Sequence, residues 1–223
     1  NLYGESGNII AMERALKALN VDYSVDELSI GDNIVLNNYD FVYIGSGTEE
    51  NIKIVSEDII KYKDSIKKYI NDEKVMLVTG NSIVLFANCL KDENDSTIFN
   101  GLGIINSDAR VSSKRIVCES LFKSEGLRDD IIGFQNRGFY LDTLKDDDKL
   151  FDVVSGGVNK NLNIEGMNKN NFYATFLIGP ILVRNPEMLN CFVNLILKDE
   201  KFVKLDFAKE AYEKFKALYY GKN

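Results

Sequence analysis

The residue types available for catalysis set the first limit on what this protein does. The chain has 223 residues and no histidine. By itself it therefore forms no Ser-His or Cys-His pair and offers no histidine ligand to a metal. Its three cysteines, Cys89, Cys118 and Cys191, show no C-x-x-C spacing, so neither a zinc site nor a set of disulfides is predicted. Cysteines without a disulfide pattern favour a reduced, cytoplasmic compartment.

The stretch VMLVTGNSIVLFA, residues 75–87, has the form of a catalytic corner. An apolar run typical of a strand leads into a tight polar turn, and a second apolar run, which we predict to be a helix, follows. Corners of this kind often present a nucleophile in α/β enzymes. Here the corner residues are Thr79, Gly80, Asn81 and Ser82, without a cysteine.

Two residues near this corner have both a functional and a structural interpretation. Ser82 either faces a pocket or, as we favour, caps the N-terminus of the predicted helix. Cys89 lies about two to three turns into that helix, at about 3.6 residues per turn, which is too far from the strand tip for a nucleophile. We predict that Cys89 is a core residue.

Strand, glycine turn and helix follow one another twice in the first half of the chain. A strand is predicted in 40–47 (DFVYIGSG) and a long helix in 49–70, and a second strand in 74–80 (KVMLVTG) precedes the predicted helix at 82–90. This order is typical of βαβ units in a parallel sheet. A ligand is then expected at the carboxyl edge of the sheet, beside the two glycine turns.

Short strand-like runs separated by Asp, Asn and Gly residues fill the second half, which predicts a β-rich region. The predicted strands lie within 112–121, 130–141, 149–157 and 171–180. Amphipathic helices are predicted at 8–20, 187–197 and 205–219. With no repeat and no proline-rich linker, residues 1–223 are expected to form a single α/β domain.

The composition narrows the classes of partner. The hydrophobic share of 45% and the charged share of 27% are those of an ordinary soluble protein. A formal net charge of -7 argues against nucleic acid or an anionic membrane as the main partner. No apolar run approaches the roughly 18 residues of a membrane span. The acidic cluster at 144–150 is interpreted as a solvated hairpin end, and no metal or organic cofactor is predicted.

Six segments carry a resemblance to a known family in their order and spacing. They are NLYGESGNIIAMERALK (1–17), DFVYIGSGTEENI (40–52), GLGII (101–105), IGFQNRG (132–138), IEG (164–166) and ATFLIGPILVRNPEML (174–189). They resemble the CobB/CobQ-like class I glutamine amidotransferases, in particular the GatD-type subunits of lipid II isoglutaminyl synthase. The resemblance covers about 1–197 and leaves 198–223, a predicted C-terminal helix, outside. It implies a three-layer, flavodoxin-like fold with a largely parallel central sheet.

The resemblance also assigns roles to positions, and the two catalytic ones are changed. The family's nucleophilic cysteine falls at Thr79, and its histidine base falls at Ile178. The family's glycine-rich turn supplies backbone N–H groups to an oxyanion. The turn is kept here as Gly45, Ser46 and Gly47. It is either an anion-binding nest or a purely structural turn, and the sequence favours neither.

The same resemblance marks further pocket positions. Gly80, Asn81 and Ser82 follow the nucleophile position, and Gln135, Asn136 and Arg137 replace family residues in a G-F-E-N-H-G run. Arg137 has two interpretations. It pairs with a substrate carboxylate, or, as we favour, it is a surface or partner-facing arginine.

Three functional hypotheses follow. The first is a degenerate amidotransferase subunit without glutaminase activity, whose partner by resemblance is a MurT-like Mur ligase that amidates peptidoglycan precursors. The second is a stand-alone module that binds a small carboxylate or a glutamine-like ligand in the former glutamine pocket. The third is an enzyme whose catalytic residues have moved. We favour the first, because a threonine hydroxyl without an adjacent base is a poor nucleophile and loss of triad members costs about 10⁴ to 10⁶ in rate.

Overall fold

The computed structural model describes residues 4–157 and 163–220. The first three residues of the NLYG motif lie outside the described residues. The helices are α1 (Ser6–Ala18), α2 (Glu49–Ile59), α3 (Lys63–Asn71), α4 (Ile181–Arg184), α5 (Pro186–Leu197) and α6 (Asp206–Tyr220). The strands are β1 (Phe41–Ile44), β2 (Val75–Thr79), β3 (Cys89–Lys91), β4 (Thr97–Asn100), β5 (Ala109–Lys123), β6 (Ile131–Leu141), β7 (Lys149–Ser155), β8 (Ile164–Lys169) and β9 (Phe172–Thr175).

These nine strands share one mixed sheet. Its order is β1-β2-β9-β8-β7-β5-β3-β4, and β6 pairs with β5. Within the described residues, three strand pairings are parallel and five are antiparallel. The β-rich second half is confirmed, but the expected predominance of parallel pairing is wrong. The reason is that the strands after β4 are joined mainly without helical crossovers, and antiparallel pairing needs none.

Helices cover both faces of the parallel part of the sheet, as a three-layer fold requires. The β2 side chains are buried on both faces, which explains the continuous apolar run VMLVT. Met76 packs in a cluster with Ile52 of α2 and Ile66 of α3. Leu77, on the opposite face, packs in a cluster with Met12 of α1 and with α5.

The helical predictions at the ends of the chain are confirmed, but those around β2 need correction. The region 49–70 is two helices, α2 and α3, separated by a 3-10 turn at Ile60–Tyr62. The predicted helix at 82–90 is wrong: Gly80–Phe86 is a 3-10 helix, and Cys89 begins β3, where it is buried. The core prediction for Cys89 is therefore confirmed, although its predicted element is not.

Backbone hydrogen bonds explain why the predicted helix does not continue past Phe86. The segment GLGII folds back, so that Leu102 N donates to Leu85 O (2.8 Å) and Ile104 N donates to Phe86 O (2.9 Å). These carbonyls are then unavailable to the i+4 amides that an α-helix would use. In the described part of the chain, no helix is long and apolar enough to span a membrane.

Candidate functional site

Three parallel strands end side by side and bring the predicted site segments together. Val78 of β2 is in register with Ile44 of β1, and Thr79 is in register with Thr175 of β9. The loops that follow these strands therefore meet at one carboxyl edge of the sheet. The sequence predicted a ligand site at this same edge.

The glycine turn after β1 is hydrogen-bonded directly to the corner after β2. Ser82 Oγ donates to Gly45 O (2.6 Å), Asn81 N donates to Ser46 Oγ (3.1 Å), and Asn81 Nδ2 donates to Gly47 O (3.2 Å). Ser82 is thus not a helix cap: it lies inside the 3-10 helix and ties that helix to the turn. Asn81 Oδ1 is buried and has no hydrogen-bond partner among the described residues.

A residue that the sequence analysis did not single out lies at the centre of this edge. The side chain of Glu5, which immediately precedes α1, enters the corner, and Glu5 is only 2% exposed. Its Oε2 accepts hydrogen bonds from the Tyr43 hydroxyl (2.8 Å) and from the Thr79 hydroxyl. Its Oε1 accepts one from Gly179 N (3.2 Å), and the nearby backbone N–H of Ser46 also favours the charged form of this carboxylate.

The hydroxyl at the nucleophile position is therefore already engaged. Thr79 is completely buried, and its Oγ1 contacts both Glu5 and the Tyr43 hydroxyl, the latter at 2.9 Å. Tyr43 in turn accepts a hydrogen bond from Asn8 Nδ2 (2.9 Å). We call Glu5, Tyr43 and Thr79, with the Ser46 and Gly179 amides, the Glu5 cluster.

Burial governs the protonation of this cluster. It raises the pKa of Glu5 above the usual value of 4.5, although the hydrogen bonds from Thr79, Tyr43 and the two backbone amides favour the charged form. Burial and the nearby Glu5 charge also raise the pKa of Tyr43. Tyr43 is therefore a neutral hydrogen-bond donor at physiological pH, not a base.

Side chains fill the space above the corner. Ile178, at the family's base position, is 1% exposed, and its N–H donates to Phe134 O (2.9 Å). A Cβ built on Gly80, which has φ of 62°, would lie 2.3 Å from Ser46 Oγ and 2.8 Å from Ile178 Cγ2. Two cavities of about 170 and 120 Å³ open elsewhere on the described surface, one beside Leu36 and the other beside Phe192. Neither reaches Thr79.

The three predicted positions on β6 do not join the Glu5 cluster. Alternation along the strand places Gln135 and Arg137 on one face and Asn136 on the other. Asn136 Oδ1 accepts a hydrogen bond from Arg115 Nε (2.5 Å). Gln135 is fully buried and donates to Ser120 Oγ (3.1 Å) and to the carbonyl of Gly157 (2.7 Å).

The favoured interpretation of Arg137 as a surface residue is wrong. Arg137 is 1% exposed, and its guanidinium donates to Gln135 Oε1 (2.7 Å) and Phe139 O (2.6 Å). It also stacks over the Phe176 ring at 4.5 Å. A planar, weakly hydrated guanidinium tolerates such a site when its donors are used. Burial lowers its pKa to about 10, so it remains charged at neutral pH.

A second buried carboxyl group, Glu165, was also missed. It accepts hydrogen bonds from Thr175 Oγ1 (2.7 Å) and Phe176 N (2.7 Å) at the end of β9. Burial raises its pKa to about 7, against the lowering effects of these bonds and of the Arg137 charge. Both missed carboxyl groups lie in segments that carried the resemblance, Glu5 in NLYGESGN and Glu165 in IEG. Nothing in their local pattern indicated burial.

Comparison with known proteins shows which family this chain is similar to. The model of the CobB/CobQ-like glutamine amidotransferase domain matches residues 1–186. The chain belongs to this family. Two GatD subunits of lipid II isoglutaminyl synthase (glutamine-hydrolyzing) are similar in sequence. The Streptococcus pneumoniae subunit is 29% identical over 204 residues, which is 89% of this chain and 76% of that subunit. The Staphylococcus aureus subunit is 30% identical over 190 residues, which is 84% of this chain and 76% of that subunit.

Solved structures give the same fold for this CobB/CobQ-like chain. A crystal structure of a glutamine amidotransferase aligns with a TM-score of 0.56 at 14% identity, covering 84% of this chain and 93% of that one. The glutaminase domain of Trypanosoma brucei CTPS with bound acivicin aligns with a TM-score of 0.56 at 10% identity, covering 91% of each. At these identities the likeness concerns the fold alone, which is that of class I glutamine amidotransferases.

Proposed function

We propose that this chain is a GatD-like subunit that has lost glutaminase chemistry and acts as a partner or regulatory subunit. The single observation that carries the proposal is the state of residue 79. Its hydroxyl is completely buried and is hydrogen-bonded to Glu5 and to the Tyr43 hydroxyl.

The chemistry of glutamine hydrolysis explains why this observation matters. The reaction needs an accessible nucleophile, a base that activates it and then protonates the departing ammonia, and donors for the oxyanion. Thr79 is a hydroxyl where the family has a thiol, and Ile178 carries no proton acceptor. The Ser46 N–H, in the turn that supplies oxyanion donors in the family, favours the charged form of Glu5. The family's nucleophile and base are therefore both replaced, and one N–H of the turn is directed to Glu5 in the same corner.

The partner is inferred from the relatives. Both similar GatD chains are named as subunits of lipid II isoglutaminyl synthase. By that likeness we propose a MurT-like Mur ligase as the partner of this chain and amidation of peptidoglycan precursors, in the cytoplasm, as the setting. We also propose that residues 1–223 form one domain, because all nine strands of the described part join one sheet.

One observation favours a second candidate, an enzyme with relocated groups. The Glu5 carboxylate touches the Thr79 hydroxyl, and burial raises the pKa of Glu5, which would suit a general base. Accessibility argues against this pair, because Thr79 is completely buried and Glu5 is 2% exposed. We therefore prefer the subunit without glutaminase chemistry.

Co-expression with the MurT-like ligase of the same genome tests the proposal. We expect the two chains to elute as one complex in size-exclusion chromatography and the complex to release no ammonia from glutamine. The Staphylococcus aureus GatD subunit with its own partner serves as the active reference. Separate elution of the two chains would exclude the partner, and glutamine-dependent ammonia from the complex would exclude loss of chemistry. In the latter case, retention of activity in Glu5→Gln would exclude Glu5 as the base.

A further inference from the structure

We infer that the corner is a binding site for a small monocarboxylate, and that the chain occupies this site with its own Glu5. The inference deepens the proposed function, on which it rests for the view that the corner no longer holds glutamine. It goes further in assigning the corner a ligand class that the present side chains recognise.

The donors of the site belong to the sheet and its loops, not to the helix that delivers Glu5. Tyr43 lies on β1, Ser46 follows β1, Thr79 ends β2, and Gly179 follows β9. The Tyr43 and Thr79 hydroxyls donate to Glu5 Oε2, and Gly179 N donates to Glu5 Oε1. Three hydrogen-bond donors therefore converge on the two oxygens, with the Ser46 amide favouring the same charge, and a carboxylate has lone pairs for all of them. Because these donors lie on two strands and on the loops that follow β1 and β9, we expect them to stay in place when the Glu5 side chain is shortened.

A second anchor holds α1 independently of Glu5. Asn8 is fully buried, its Oδ1 accepts a hydrogen bond from Leu182 N (2.9 Å), and its Nδ2 donates to Tyr43 (2.9 Å). Met12 and Leu16 of α1 also lie in the core. Shortening Glu5 therefore leaves the helix docked and the donors facing an unoccupied volume.

The size of that volume follows from the atoms removed. Glu5→Ala removes a methylene and the carboxylate, whose four heavy atoms are those of acetate. Glu5→Gly also removes the Cβ, so that the missing atoms match propionate. Glu5 has φ of -59° and ψ of -22°, which alanine adopts without strain. Formate and acetate are expected to bind to Glu5→Ala, and propionate is expected to bind only to Glu5→Gly.

Thermal unfolding of the full chain at neutral pH tests the inference, with acetate, formate and propionate as probes and sodium chloride matched for ionic strength. A ligand at ten times its Kd raises Tm by about 3–6 °C for a domain of this size. We expect a saturable rise of this order for Glu5→Ala with acetate, and only the chloride response for wild type. Glu13→Ala, the same truncation elsewhere on α1, is the matched control and should behave like wild type.

The results that would overturn the inference are specific. The inference is overturned if no carboxylate raises the Tm of Glu5→Ala or Glu5→Gly more than chloride does. It is also overturned if acetate raises the Tm of Glu13→Ala as much as that of Glu5→Ala. If the variants do not fold in buffer, the series is run as refolding from urea followed by circular dichroism. Acetate, but not chloride, must then restore the native spectrum of Glu5→Ala. None of these outcomes depends on ammonia release, so a failure here is distinct from a failure of the proposed function.

Discussion

The packing above the corner gives a sharp prediction for Gly80→Ala. Gly80 has φ of 62°, where a side chain is strained by about 1–2 kcal/mol. Its new Cβ would also lie 2.3 Å from Ser46 Oγ, 2.4 Å from Ser46 Cβ and 2.8 Å from Ile178 Cγ2. Overpacking of a buried site costs a further 1–3 kcal/mol or so. We expect Gly80→Ala to lower the free energy of unfolding by about 2–5 kcal/mol.

Gly103→Ala is a matched control for this substitution. Gly103 has nearly the same φ, 61°, but its Cβ would have no neighbour closer than 3.7 Å. It should therefore show the backbone strain alone, about 1–2 kcal/mol. The difference between the two variants isolates the contact with Ser46 and Ile178.

Urea denaturation followed by circular dichroism measures both variants, and m-values check that the unfolding remains two-state. The double variant Gly80→Ala/Ser46→Gly should recover part of the loss, because it removes the two closest atoms. Equal losses for Gly80→Ala and Gly103→Ala would refute the reasoning. They would mean that the corner has open space above Gly80, as a working glutamine pocket requires.

The remaining predictions concern the two buried carboxyl groups. Tyr43→Phe should lower the free energy of unfolding in urea titrations by about 2–4 kcal/mol, because Glu5 and Asn8 lose a buried partner. The control is Tyr39→Phe: the Tyr39 hydroxyl binds Asp26 at the surface, so its loss should cost under about 1 kcal/mol. Equal costs for the two variants would contradict the Glu5 cluster. The folded pKa of Glu165, about 7, lies above its ordinary 4.5, so its contribution to stability is present below about pH 4.5 and is lost as pH rises through 7. Wild type should therefore lose about 3 kcal/mol relative to Glu165→Gln across that interval, whereas the exposed Glu57→Gln should follow wild type; parallel curves for wild type and Glu165→Gln would contradict the burial effect.

The sequence predicted those parts of the fold that follow from local periodicity. Apolar spacing and helix caps indicated the strand VMLVT, the helical character of 49–70 and the closing helices, but not the break at Ile60–Tyr62. For example, Thr48 caps α2 by accepting from Asn51 N (3.2 Å), and Glu49 and Glu50 follow in the first turn. The convergence of the two glycine turns at one sheet edge followed from the βαβ order alone.

What the sequence could not predict depends on contacts between distant segments. The helix after Gly80 stops at Phe86, because residues 102–105 hydrogen-bond to the carbonyls of Leu85, Phe86 and Ala87. Glu5 reaches Thr79, 74 residues away, and Gly179, 174 residues away. Arg137 looks like a surface residue until Gln135, Phe139 and Phe176 are known to surround it. Burial of a charged side chain is a property of the assembled sheet, and no local pattern encodes it.

The most direct test of the account is ammonia release from glutamine by the purified chain. The assay compares wild type and Thr79→Cys with an enzyme-free blank and with the Staphylococcus aureus GatD subunit. The account predicts that both wild type and Thr79→Cys stay at the blank, because the thiol would still have no histidine base and would be buried beside Glu5. Glutamine-dependent ammonia from wild type well above the blank would contradict it.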